Sequence, residues 1–148
     1  MTRRTPGVVK HKPRCPDCGA VMDARQGCYN CAVSTFCRAT GIPEPCPEYS
    51  FDDRLDEPDY RFDFAWPEER LLLEIHGALW QRARDGVGYL GAHNTGPGRP
   101  RDMRKHLEAT RRGWWVVEFE PADVFNGTAI AFIAALPQMQ ARRRSVES

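Results

Sequence analysis

The sequence predicts an α/β sandwich on a mixed β-sheet, preceded by a small module clamped by cysteines. Three observations carry this reading. Two apolar runs, Tyr60–Trp66 and Leu71–Ile75, flank a short turn at Pro67–Arg70 and read as a hairpin. A third run, Trp114–Phe119, follows a basic segment of helical periodicity. Four cysteines stand near the N-terminus as two CxxC pairs. Such alternation of strands and helices folds as layers around one core.

The cysteine module comes first. Cys15-Pro16-Asp17-Cys18 and Cys28-Tyr29-Asn30-Cys31 are separated by nine residues. Each CxxC turn lets two thiolates converge on one ion, and two turns complete a tetrahedral zinc shell. Gly19 and Gly27 supply the backbone freedom these knuckles need. With all four positions filled by protein, the zinc is expected to be structural. The plainer alternative is two disulfides in a secreted chain. The first residues, MTRRTPGVVKHK, are basic but lack the apolar stretch of a secretory signal, so a cytoplasmic protein is expected. Cys37 and Cys46 are expected to be buried small side chains, with Cys37 as a substitute zinc ligand.

A helix is expected over Ala32–Thr40, stopped by Gly41 and Pro43. Pro43–Pro47 then reads as a stiff connection, Glu48–Phe51 as a strand and Asp52–Asp59 as a polar turn. The hairpin follows, its second strand apolar enough to be covered on both faces. Residues 81–100 hold five glycines and two prolines, too many for regular structure. From Arg101 to Arg112, Met103, Leu107 and Thr110 recur at helical spacing and predict the inward face. Gly113 ends that helix, Trp114–Phe119 reads as a buried strand, and Thr128–Gln138 as a closing helix. The divisions are a basic tail and zinc-ribbon-like module over 1–36, a core over 37–140, and a basic tail over 141–148.

Hydrophobic residues make up 41% of the 148-residue chain, enough for a packed core. No stretch approaches the roughly 18 apolar residues of a membrane span, so no membrane partner is expected. The net charge of +1 conceals an uneven distribution. Arg3, Arg4, Lys10, Lys12 and Arg14 crowd the start, Arg142–Arg144 the end, and acids gather between Glu44 and Glu74. Basic surfaces beside an acidic centre suit a protein that meets phosphate while holding cations. For any single arginine, ordinary solvated charge explains as much.

Asp63 and Glu74 lie within apolar strands on either side of the hairpin turn. A carboxylate there costs several kcal/mol unless hydrogen bonds or a cation offset it. Two converging carboxylates favour a hard divalent ion, magnesium or manganese, able to polarise a phosphate and activate a water. His76 follows Glu74 by two residues and so shares its face, where an imidazole can orient the water or take its proton. The plain alternative is a half-exposed hairpin with both acids in solvent.

These residues carry a resemblance. Asp63, ten intervening residues, then Glu74-Ile75-His76 resembles the D-x(n)-E-x-K core of PD-(D/E)XK nucleases. Pro47-Glu48-Tyr49, Arg61–Pro67 and Glu74–Trp80 look like small phage and prophage endonucleases related to very-short-patch-repair enzymes. His93, Thr95, Gly96, Gly98, Asp102, Lys105 and Gly113-Trp114 continue the pattern, which spans about residues 38 to 136. The resemblance implies a restriction-endonuclease-like fold, with Asp63 and Glu74 as magnesium ligands and the Ile75 carbonyl completing the shell. It implies Glu48 on a metal-bound water, and His93, Asp102 and Lys105 at the rim. The chain departs from the family at His76, where lysine or an acid is usual, and in its added zinc knuckle.

DNA is the expected partner. Arg82, Arg84, Arg99, Arg101 and Lys105 are expected on phosphates, which position DNA without reading sequence. Trp80 and Tyr89 are candidates to stack on a base. The expected activity is endonucleolytic, on branched, mismatched or site-specific DNA, with a homodimer if junctions are cut symmetrically. A zinc-dependent DNA-binding protein with a weakened nuclease core is the alternative that His76 keeps open. A structural phage component would bind neither DNA nor divalent ions.

Overall fold

The computed structural model describes residues 12–22, 27–51, 60–76 and 98–147, with the backbone alone at 98–102 and 147. Its elements run α1 (Tyr29–Thr40), β1 (Cys46–Ser50), β2 (Arg61–Trp66), β3 (Leu71–Ile75), α2 (Gly98–Arg111), β4 (Trp115–Phe119), α3 (Pro121–Phe125), α4 (Thr128–Ala134) and α5 (Pro137–Glu147). The four strands form one sheet in the order β1-β2-β3-β4. β1, β2 and β3 run antiparallel in turn, while β4 lies parallel to β3. The fold is therefore mixed α/β on a mixed sheet, as the apolar runs predicted.

Each face of the sheet carries its own cluster. Phe64, Trp66, Leu71 and Leu73 pack with Val33 and Cys37 of α1, Val124 of α3, Ile130 and Ile133 of α4, and Met139 of α5. Phe62, Ala65 and Leu72 pack with Ala109 of α2, bordered by Tyr49, Phe51, Trp114 and Val116. The side-chain period of a strand is two, so Phe62 should share a face with Phe64. It does not: β2 changes facing as it passes Asp63. The partner strand is irregular at the same level. Glu48 has a left-handed backbone (φ 46°) and lies between the paired positions Pro47↔Phe64 and Tyr49↔Phe62. A non-glycine residue held there marks local strain.

Several expectations need correction. α1 starts at Tyr29, not Ala32, because Cys28 is its N-cap and accepts the Ala32 N–H at 3.1 Å. The strand expected at Glu48–Phe51 is Cys46–Ser50, so it takes in part of the proline-rich connection. Cys37 is buried as expected, but Cys46, opening an edge strand, is exposed. The face of α2 is the other way round. Met103 and Leu107 are 58% and 66% exposed and Thr110 is exposed, while Ala109 and Lys105 are buried. An apolar count misled because Glu74 offsets the charge of Lys105, letting it turn inward. β4 is an edge strand with Trp115 59% exposed, where the sequence suggested burial. The single closing helix is two, α4 and α5, because Pro137 disfavours helical backbone at the residue before it.

Two glycines are dictated by the fold. Gly113 (φ 82°) turns the chain from α2 into β4. At Gly127 (φ 87°) an added Cβ would stand 2.8 Å from the Phe36 ring. The arginines Arg142–Arg144 are carried on α5, and Arg142 Nη1 reaches Glu69 Oε1 at 2.6 Å and Glu68 Oε2 at 3.0 Å. α5 is thereby clamped to the β2–β3 turn. No helix among the described residues is long and apolar enough to cross a membrane.

Candidate functional site

The cysteine module is a minimal hairpin joined to the first turn of α1. Arg14 bridges Val21, Cys15 donates its N–H to the Ala20 carbonyl at 2.8 Å, and Gly19 (φ 75°) closes the turn onto the Cys15 carbonyl. This loop presents Cys15 and Cys18. Gly27 (φ 105°) and the start of α1 present Cys28 and Cys31. The four sulfurs all lie within 4.8 Å of one another, with Cys15–Cys31 at 3.6 Å and Cys18–Cys28 at 3.5 Å.

A tetrahedral zinc with bonds of about 2.3 Å requires sulfur separations of about 3.8 Å. The cysteines are free and lie too far apart for S–S bonds of about 2.05 Å. Backbone N–H groups at Asp17 and Cys18 lower the Cys15 thiol to about 7, whereas contact with the other thiols pushes Cys31 up. Four crowded thiols do not all ionise unless a cation joins them. The donor set and spacing fit structural zinc, held by Cys15, Cys18, Cys28 and Cys31. Cys37 takes no part: it is fully buried in the core, and burial pushes its thiol to about 12.

The carboxylates come from the hairpin. Extending the pairing Trp66↔Leu71, Ala65↔Leu72, Phe64↔Leu73 by one residue brings Asp63 level with Glu74. Asp63 Oδ2 accepts the Ile75 N–H at 2.7 Å, taking a donor that the strand ladder would otherwise satisfy. Glu74 Oε1 accepts from Lys105 Nζ at 2.8 Å, and the same ammonium donates to the Arg61 carbonyl at 2.9 Å. Lys105 Nζ also lies 4.4 Å from the centre of the Phe62 ring. Burial raises both carboxyl groups above their ordinary range, against the opposing pull of Lys105. Glu74 Oε2 is buried and has no hydrogen-bond partner among the described residues. That orphaned oxygen, beside a second carboxylate, fits a hard divalent cation.

His76 does lie beside this pair, adding favourable charge at both carboxylates. Its Nε2 is 3.1 Å from Glu118 Oε1, and His106 Nδ1 lies 3.1 Å from the same oxygen. Glu118 pairs with Glu74 across the parallel β3–β4 ladder, so the two acids are neighbours on the sheet. Sequence reasoning missed Glu118 and His106. The signal was present, since Glu118 interrupts an apolar strand just as Asp63 does.

A cavity of about 210 Å³ opens beside Asp63, lined by Glu48, Phe64 and Ile75 and, from the cysteine module, Val21, Tyr29 and Asn30. Glu48 adds its negative charge to Asp63 and keeps a 3.9 Å contact with Arg61. Among the described residues, no three His, Asp or Glu side chains converge as tightly as the cysteines do. His93, Arg82, Arg84, Trp80, Tyr89 and the glycine-rich loop lie outside the described residues, as do the side chains of Arg99, Arg101 and Asp102. No protein-family profile, curated protein or solved structure matches the chain.

Proposed function

We propose that this chain is a magnesium- or manganese-dependent DNA endonuclease on a restriction-endonuclease-like core of the PD-(D/E)XK type, with a structural zinc module. The observation that carries the reading is the buried Asp63–Glu74 pair, with Lys105 Nζ on Glu74 Oε1 and the other Glu74 oxygen unpartnered. Asp63 and Glu74 would hold the cation, which when bound polarises the scissile phosphate and acidifies a water.

The chain's own groups then have distinct tasks. Lys105 opposes the burial that raises the Glu74 carboxyl and offers a cationic N–H donor beside it, a charge that the E-x-K pattern would bring from position 76. It arrives from α2 instead. His76 is the proton acceptor for the attacking water, and Glu118 steadies the imidazolium that results. Arg82, Arg84, Arg99 and Arg101 are proposed phosphate contacts, with Glu48, His93 and Asp102 at the rim.

The test is supercoiled plasmid incubated with Mg²⁺ or Mn²⁺, beside an Asp63→Ala control. Metal-dependent nicking that disappears in the control supports the enzyme; equal nicking in both, or none in either, refutes it. One observation favours a second reading, a zinc-dependent DNA-binding protein. Both acids already have partners, Ile75 N–H and Lys105, so the pair holds together without an ion. That reading predicts DNA affinity with no cleavage. Sizing the chain with and without a four-way junction separates a junction-cutting homodimer from a monomeric nickase.

A further inference from the structure

The cysteine module meets Asp63 and Glu48 at a shared cavity. Asn30 lies between Cys28 and Cys31 on the first turn of α1, and it lines the cavity that Asp63 and Glu48 line from the sheet. We propose that Asn30 is an oxygen donor to the divalent cation held at Asp63, either on the ion or on its bound water, so that the zinc module forms a wall of the hard-metal site.

Several observations converge on it. The position is rigid: Cys28 and Cys31 tie this turn to the sulfur cluster, and Tyr29 stacks on Phe125 with ring centres 4.9 Å apart. The Asn30 amide is half-buried and makes no side-chain hydrogen bond to a described residue. A neutral carbonyl oxygen is the suitable third donor beside two acids, because it coordinates a hard cation without adding like charge. Magnesium keeps several waters when one or two carboxylates bind it, and an amide beside the ion fixes such a water. Glu48, opposite Asp63, is held in a left-handed conformation at the same cavity, a form of strain that concentrates at functional sites.

This inference rests on the reading of Asp63 as a cation ligand. The experiment is Mn²⁺ titration of the zinc-loaded full chain by calorimetry, with zinc content and thermal unfolding measured on each variant. Asn30→Ala should keep its zinc and bind Mn²⁺ about ten-fold more weakly, the usual cost of losing a group that supports a metal's ligands. Asn30→Asp, nearly the same shape and a stronger donor, should bind at least as tightly as the unaltered chain. Wild-type affinity in Asn30→Ala overturns the inference, as does weaker Mn²⁺ binding in Asn30→Asp with zinc retained. Should Asn30→Ala lose its zinc, Asn30→Asp alone decides. Loss of Mn²⁺ in Asp63→Ala but not in Asn30→Ala removes Asn30 and spares the site. No Mn²⁺ binding by the unaltered chain, or full binding by Asp63→Ala, removes both.

Discussion

The cysteine cluster and the carboxylate centre are built on opposite plans. The four sulfurs come from two short turns within 17 residues, all within 4.8 Å, and have no role except to meet one another. The carboxylate centre draws Asp63 from β2, Glu74 from β3, Lys105 from α2 and Glu118 from β4, and its groups already have protein partners. A closed thiolate shell needs its ion to exist. A centre of offset charges survives without one, and under the proposed function it would leave a coordination position open.

The largest effect should fall on the closed shell. Cys28→Ser should lose zinc and, because α1 carries Val33 and Cys37 into the core, lower Tm by roughly 10 °C or more. Metal analysis beside a thermal melt reads both. An unchanged melt would separate the module from the fold and break the contrast at its stronger end. At the open centre, Asp63→Ala should leave the zinc in place yet lower nicking by about 10²-fold or more, since a bound metal's polarisation is worth several kcal/mol.

Two smaller effects sharpen the point about offset charge. Glu69 is only 3% exposed and depends on Arg142. Arg142→Ala should therefore cost about 2 kcal/mol in urea unfolding, below the cost of a fully buried pair because Arg142 is itself partly exposed. Asp63 behaves in the opposite sense. Burial raises its pKa, so its contribution to stability is complete below the unfolded value and is lost as pH rises through the folded one. In the absence of divalent ions, Asp63→Asn should therefore stabilise the fold at pH 7 in urea unfolding, with the gain fading as the solution is acidified. A destabilised variant at pH 7 would mean the carboxylate is offset by its neighbours alone.

How legible each region was follows from the same contrast. CxxC spacing is local, so the sequence alone brings those thiols together. The hairpin was equally clear from Tyr60–Trp66 and Leu71–Ile75, and with it the placing of Asp63 opposite Glu74. What escaped was whatever depended on a distant partner. Lys105 turns inward because Glu74 waits for it, and no reading of α2 by itself reveals that. Trp115 is exposed because β4 lies at the sheet edge, a property of strand order and not of composition. Asn30 reads as a spacer between two cysteines until the fold lays α1 beside β2.

The most direct measurement of the central claim is a manganese titration of the zinc-loaded chain and of Asp63→Ala, with zinc measured in the same samples. The account predicts a manganese site in the unaltered chain that vanishes in Asp63→Ala while zinc stays constant in both. Manganese uptake that ignores the substitution, or is absent from the start, would contradict it.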